Sequence, residues 1–259
     1  MFQKNNKIQA KKRFGQNFLI DNNYIEKIIN VIHPKNENII EIGPGMGAIS
    51  REINKSAKSL IGYEIDKDMI DYLINNKIFN SDNLINEDFL KSDLKKYHDY
   101  VIVGNIPYNL TSDIILKILD YRFNFKKAVL MVQKEVADRI VSQINSKDYS
   151  KLSVTCQYVA NVKKEFIVPN GAFNPAPKVD SAIISLEFKH DKNDNYPQLK
   201  NFFKLCFLAR RKKLIYSLKT KYSLEKIKTS FSRMNLSENT RIQELSVEDI
   251  VLLFKDLNY

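Results

Sequence analysis

The stretch Ile39-Ile40-Glu41-Ile42-Gly43-Pro44-Gly45-Met46-Gly47 decides how the rest of the chain is read. A short β-rich run passes straight into three glycines at alternate positions, and Ala48–Asn54 beyond them is compatible with a helix. A strand feeding a glycine turn that opens a helix lets the backbone approach a ligand closely, because glycine has no Cβ and tolerates left-handed conformations. The spacing is G-x-G-x-G rather than the G-x-G-x-x-G of dinucleotide folds, which disfavours a pyrophosphate cradle. Working outward, Asn38–Ile42, Ser59–Ile65, Asn83–Ile85, Tyr100–Val103 and Ala128–Gln133 read as strands, separated by helix-like stretches such as Asp66–Asn75 and Ser112–Tyr121. Such alternation implies right-handed crossovers and a mostly parallel sheet. Two further strands, Ser153–Val162 and Ser181–Phe188, flank the loop Pro169–Lys178, which predicts an antiparallel hairpin at the sheet edge. After the polar segment His190–Pro197 the pattern is helical from Leu199 onward and ends in the amphipathic stretch Ser246–Leu257. The predicted organisation is an α/β domain over residues 1–190 and a small helical domain over residues 191–259.

Acidic residues fall where an open α/β sheet binds ligands, at the carboxyl ends of the strands. Glu64 lies 21 residues after Gly43, at the end of the second predicted strand. A carboxylate there accepts hydrogen bonds from both ribose hydroxyls of a nucleoside. Asp88 follows the third strand in the same way. The nucleoside most consistent with this spacing is S-adenosylmethionine; the competing account is a structural turn with two solvated carboxylates. Glu41, just before the turn, either faces the ligand's ammonium side or is a strand-end surface acid.

Composition narrows the class. The 259 residues are 44% apolar and 27% charged, enough to build a core and to exclude general disorder. No apolar run approaches the ~20 residues of a membrane span, and Met1–Arg13 lacks an apolar signal segment, so the sequence reads as soluble and cytoplasmic. Cys156 and Cys206 stand alone, and His33, His98 and His190 are scattered, so neither a disulfide framework nor a metal site is predicted. The formal charge of +11 rests on 33 Lys and only 8 Arg beside 27 Asn, a bias that an AT-rich coding sequence produces without selection for a polyanion. Its distribution says more: residues 1–13 carry five cations and no acid, and residues 201–230 carry nine cations against Glu225. Two basic blocks point to a nucleic-acid or other polyanionic partner, with a solvated lysine surface as the alternative.

The fourth predicted strand, Tyr100–Gly104, ends in Asn105-Ile106-Pro107-Tyr108. An exocyclic adenine amine is a poor nucleophile because its lone pair is delocalised into the ring. If the Asn105 side-chain oxygen and a backbone carbonyl at Ile106 or Pro107 accept its two N–H bonds, the nitrogen pyramidalises and its lone pair can point at a sulfonium methyl. Tyr108 offers a ring face on which an extruded base stacks. Methyl transfer from a sulfonium needs alignment more than a strong base, so no catalytic His is required. Elsewhere the same tetrapeptide could be a Pro-locked turn with a packing Tyr; after the fourth strand and downstream of the glycine turn it points to chemistry.

These blocks resemble the KsgA family of small-subunit (16S) ribosomal RNA adenine dimethyltransferases over nearly the whole chain. The resemblance runs through Lys12–Leu19, Glu41–Gly47, Glu64-Ile65-Asp66, Glu87-Asp88, Gly104–Asn109, Gln133-Lys134-Glu135, Leu152-Ser153-Val154 and Ala172–Ser181. It implies a seven-stranded class I (Rossmann-like) methyltransferase domain followed by a helical RNA-binding domain. It also implies transfer of two methyls to each of two adjacent adenosines in a hairpin near the 3′ end of small-subunit rRNA. The expected partner is that rRNA within an immature 30S-type subunit, no metal is expected, and a monomer is expected because nothing in the sequence suggests a built-in dimer interface. Carried over residue by residue, Gln16, Asn17 and Leu19 would meet the cofactor's methionine end, with Gly43 beneath it and Gly45 in the same turn. Glu64 would hold the ribose, Asp88 the adenine amine and Asn105 the junction with the target. Pro107 and Tyr108 complete the catalytic tetrapeptide, and Phe173 would sandwich the target base against Tyr108. Arg210, Arg211 and Lys212 would contact phosphate, a solvated helix face being the competitor.

Erm-type large-subunit rRNA methyltransferases share the Gln-Asn-Phe and Asn-Ile-Pro-Tyr blocks. Gln133–Arg139, Lys178–Ser181 and Arg210-Arg211-Lys212 stand closer to the KsgA pattern. An assembly factor acting mainly by binding is a third reading. Departures from the family pattern are small: Leu110-Thr111-Ser112 swaps the order of two hydroxyl residues, and Ala48-Ile49-Ser50 replaces a Leu-Thr ending.

Overall fold

The computed structural model describes residues 10–11, 14–191 and 194–259. Most of the basic run over residues 1–13, including Lys12 and Arg13, lies outside the described residues.

The sheet is organised about β2 (Asn38–Ile42), nearly all of which is buried. On one side it pairs in parallel with β3 (Ser59–Tyr63), and β3 pairs with β4 (Leu84–Ile85). On its other side it pairs in parallel with β5 (Tyr100–Asn105), which pairs with β6 (Phe125–Gln133). β9 (Ser181–Phe188) runs antiparallel to β6, and β7 (Ala160–Val168) completes the order β4-β3-β2-β5-β6-β9-β7. Near-continuous burial along β2, β5 and β6 is the expected reading for strands covered on both faces. The chain leaves β2 for β3 on one side and returns to β5 on the other. The switch point of the sheet is therefore the crevice at the ends of β2 and β5, where the glycine turn and Asn105 emerge.

Local chemistry fixes the ends of the helices. α1 (Asn22–Ile32) is capped by Asp21, and α3 (Lys67–Asn75) by Asp66, whose carboxylate accepts the Asp68 N–H. α2 (Ala48–Ile53) starts from Gly47 at φ +75°, where an added Cβ would come within 2.9 Å of Ile78. Gly104 has a different reason to be glycine. A Cβ there would stand 2.7 Å from the Ile42 carbonyl oxygen, so β2 and β5 approach too closely for any side chain. α4 (Thr111–Asp120) follows β5, and α5 (Lys134–Ile140) follows β6.

The strand predicted over Ser153–Val162 is instead α6 (Lys151–Val159), and β7 begins only at Ala160. Ser150 and Ser153 form a reciprocal capping box, and Leu152 to Cys156 are all buried. Capping and burial on all sides thus override the strand propensity of Val154-Thr155. A separate two-stranded ribbon, β1 (Phe18–Leu19) with β8 (Phe173–Asn174), sets Leu19 opposite Phe173. The Asn174–Pro175 peptide is cis.

Two compact units result. The first runs to Ala137 and resumes over Lys163–Phe188; the second takes Asp138–Val162 and Lys189–Tyr259. This division departs from a single boundary at residue 190, because α6 belongs with the helical unit although it precedes the last two strands of the sheet. The second unit packs α7 (Tyr196–Cys206), α8 (Leu214–Leu218), α9 (Leu224–Arg233) and α10 (Val247–Asn258) about Phe202, Phe203, Phe231 and Leu253. In α10, Ile250, Leu253, Phe254 and Leu257 recur at helical spacing and are buried, behind a Ser246–Asp249 capping box. No helix among the described residues is long and apolar enough to cross a membrane.

Candidate active site

The crevice at the switch point holds about 1060 Å³ of space, its open mouth included. Segment 14–19, the turn after β2, the end of β3, Glu87–Phe89 and the end of β5 line it, over an apolar floor that includes Ile42, Ile49, Ile114 and Met131. Four carboxylates border the crevice (Glu41, Glu64, Glu87 and Asp88), and no Lys, Arg or His does among the described residues. A phosphate would be repelled here, whereas a ligand carrying a sulfonium and an ammonium is favoured. The absence of cations beside the glycine turn thus agrees with the turn's spacing, and the site chemistry fits S-adenosylmethionine.

The turn is built for close approach. Gly43 and Gly45 both have positive φ, and a Cβ on Gly45 would press on the Phe18 ring at 3.2 Å. Glu64 Oε2 accepts the Gly45 N–H at 3.2 Å, and Oε1 accepts the Asp66 N–H at 2.9 Å. Burial pushes the Glu64 carboxyl above its ordinary range, and these two backbone donors oppose that push. Each oxygen keeps a lone pair for a ribose hydroxyl. Asp88 caps the short turn Phe89–Lys91 through Oδ1, which accepts the Leu90 N–H at 2.9 Å, and Oδ2 is left to meet an amine.

Glu41 is the unusual carboxylate. It is only 2% exposed and accepts a hydrogen bond from Ser50 Oγ at 2.6 Å. Burial pushes its pKa up to about 7 from 4.5; the Ser50 hydroxyl opposes this and the charge of Glu64 adds to it. The native state therefore binds this proton more tightly than the unfolded chain does. Its contribution to stability is complete below about pH 4.5 and is lost as pH rises through about 7. The loss amounts to about 3 kcal/mol at most. Denaturant unfolding of ligand-free protein between about pH 5 and 8 is expected to show this decline, and Glu41→Gln is expected to flatten it. An unchanged pH profile in the variant would contradict the assignment.

At the end of β5, Asn105 Nδ2 donates to the Asn17 carbonyl at 3.0 Å, which turns Oδ1 into the free acceptor. The Pro107 carbonyl accepts the Leu110 N–H at 3.0 Å and shares the Thr111 hydroxyl, at 3.2 Å, with the Tyr108 carbonyl. Tyr108 is half-buried, with its hydroxyl 2.9 Å from Ser181 Oγ. Burial raises its pKa, so the phenol stays neutral.

The crevice thus gathers Gln16, Asn17, Leu19, Gly43, Gly45, Glu64, Asp88, Asn105 and Pro107. Tyr108 does not line it but lies one residue beyond Pro107. Two predicted positions lie otherwise. Phe173 is 4% exposed and packs into the core of the first unit, because its pairing in the β1–β8 ribbon turns it inward. Arg210 is half-buried, and its Nη2 donates to the Lys147 carbonyl and, at 3.1 Å, to the Ser146 carbonyl, so its guanidinium pins a loop of the helical unit. Arg211 and Lys212 are exposed. Residue-type reasoning missed Lys11, Asp66 and Ser181, which act through partners distant in sequence; only the capping position of Asp66 was a readable signal.

A seven-stranded sheet of this order, with an anionic nucleoside site at its switch point, defines a class I S-adenosylmethionine-dependent methyltransferase. Residues 7–259 match the family model described as ribosomal RNA adenine dimethylase. The chain belongs to that family. It is similar to "Ribosomal RNA small subunit methyltransferase A" of Mycoplasmopsis synoviae, at 52% identity covering 96% of this chain and 97% of the relative. The protein of the same name in Mycoplasma mobile is 45% identical, covering 96% and 98%. Among solved structures, a dimethyladenosine transferase from Plasmodium falciparum superposes with a TM-score of 0.81 at 28% identity, covering 93% of this chain and 97% of that one. The 23S rRNA methyltransferase ErmE superposes at 0.72 with 26% identity, covering 94% and 100%.

Proposed function

We propose that the chain transfers methyl groups from S-adenosylmethionine to the N6 amines of two adjacent adenosines near the 3′ end of small-subunit (16S) rRNA, giving N6,N6-dimethyladenosines. It does so in the cytoplasm, as a monomer, on an immature 30S-type subunit. The observation that carries this reading is the Asn105 amide, whose nitrogen is tied to Asn17 so that its oxygen is left as an acceptor beside the crevice. When bound, S-adenosylmethionine supplies an electrophilic methyl on a cationic sulfur.

The protein's part is alignment. Asn105 Oδ1 accepts one N–H of the target amine. The second falls to a backbone carbonyl at Ile106 or Pro107; the Pro107 oxygen accepts the Leu110 N–H and only shares the single Thr111 hydroxyl proton with the Tyr108 carbonyl, so it keeps acceptor capacity. Pro107 locks the turn, and Tyr108, its ring anchored by Ser181, stacks the extruded base. Phe173 serves as the second face only if it turns out of the core. The relatives named for the small subunit favour that substrate over the large-subunit rRNA of the ErmE neighbour.

The helical unit binds RNA through exposed Arg211 and Lys212, with Arg210 shaping the loop behind them. Replacing Arg211 and Lys212 together by Ala is expected to weaken subunit binding and to lower the log–log salt slope by about 1 to 2. An unchanged slope would show the pair to be merely solvated. The substrate form is tested by offering particles unmethylated at this site and naked small-subunit rRNA, then mapping the products. Dimethyladenosines at two neighbouring positions, formed faster on particles, are the expected result; modification of naked RNA alone would remove the assembly role.

A further inference from the structure

Asp66 does not line the crevice, yet two of its hydrogen-bond partners, Gln16 and Glu64, do. Its carboxylate is almost wholly buried. Oδ1 accepts from Lys11 Nζ at 2.6 Å and from the Asp68 N–H at 3.1 Å, and Oδ2 accepts from Gln16 Nε2 at 2.8 Å. Lys11 closes the ring by donating its own backbone N–H to Gln16 Oε1 at 2.7 Å, and its ammonium also meets Asp68 at 2.5 Å. Burial works to raise the Asp66 pKa, but the Lys11 and Gln16 donors outweigh it and hold the carboxyl below its usual range. Meanwhile the Asp66 backbone N–H is committed to Glu64. The segment fastened in this way supplies one wall of the crevice, and its Asn17 carbonyl is the group that orients the Asn105 amide.

We propose that Asp66 is a positioning residue for methyl transfer: through Lys11 and Gln16 it latches segment 14–19 along the cofactor site, and through the Asn17 carbonyl it sets the orientation of the Asn105 amide. The proposal rests on the function argued above. A buried carboxylate with three N–H donors is stable only while its cationic partner stays in place. Loss of Lys11 therefore loosens the segment at Gln16, and the amide loses its fixed acceptor at Asn17. Cofactor retention and turnover are thereby governed by a pair of side chains that touch neither ligand.

The test uses Lys11→Met, Asp66→Asn, the double variant and Lys11→Arg in the full chain. Asn retains the helix cap at position 66 and its backbone N–H, and thermal denaturation checks that each variant is folded. Titration calorimetry with S-adenosylmethionine and S-adenosylhomocysteine reads the cofactor side. The kcat at saturating cofactor reads the amide. Each single variant is expected to lose about tenfold in affinity and about tenfold in kcat, with the double no more than about twofold worse than Asp66→Asn. Lys11→Arg should stay within about threefold of wild type, since it restores the cation. Unchanged affinity and kcat in Lys11→Met, or losses that add in the double, would overturn the latch. Wild-type protein that bound neither compound would overturn the functional reading itself, and the latch with it.

Discussion

Replacing Asn105 by Ala is expected to slow methyl transfer on the order of a thousandfold or more while cofactor affinity stays within about tenfold. The asymmetry follows from what the side chain does. Its nitrogen is already satisfied by the Asn17 carbonyl, so removing the amide costs the cofactor site one wall contact. Its oxygen is the acceptor that unlocks the adenine lone pair, and that interaction gains strength only as the nitrogen pyramidalises. A contact realised mainly in the transition state appears in kcat rather than in ground-state binding. Asn105→Asp is the sharper companion. The carboxylate keeps an acceptor but cannot donate to Asn17, so a large loss there too would implicate the orientation of the amide. Turnover within about tenfold of wild type in Asn105→Ala would remove the mechanism.

Glu64→Gln is expected to do the reverse, weakening S-adenosylmethionine binding by about 10 to 100-fold with much smaller change in kcat at saturating cofactor. Both Glu64 oxygens accept backbone N–H groups, from Gly45 and from Asp66. An amide offers only one oxygen, so one of those buried donors must face an NH₂ group, and the glycine turn shifts or loses a bond. Charge-assisted bonds to the ribose weaken at the same time. Calorimetric titration of the cofactor, compared with kcat and KM, separates the two effects. Equal cofactor affinity in the variant would show that Glu64 only braces the turn.

Much of this site was legible in the sequence because its parts are local. The glycine turn, the acids at the ends of β3 and β4, and the tetrapeptide after β5 each announce a strand end, and strand ends in an open parallel sheet converge at the switch point. The strand-like reading of Ser153–Val162 failed because a Ser–Ser capping box and burial on all sides of α6 outweigh β-branched composition. The burial of Phe173 was not legible because its pairing with β1, some 150 residues earlier in the chain, cannot be seen from the Pro-rich segment around it. The intramolecular bonds of Arg210 were hidden for a similar reason: a guanidinium holding two backbone carbonyls has the same sequence signature as one holding a phosphate. The division into units was only partly visible, since the excursion through α6 carries no change of composition.

The central claim is most directly tested by methyl transfer from labelled S-adenosylmethionine, with nucleoside analysis of the product, on small-subunit particles, free small-subunit rRNA and free large-subunit rRNA. The account predicts N6,N6-dimethyladenosine on the small subunit and none on large-subunit rRNA. Label appearing on large-subunit rRNA alone, or no transfer despite cofactor binding, would contradict it.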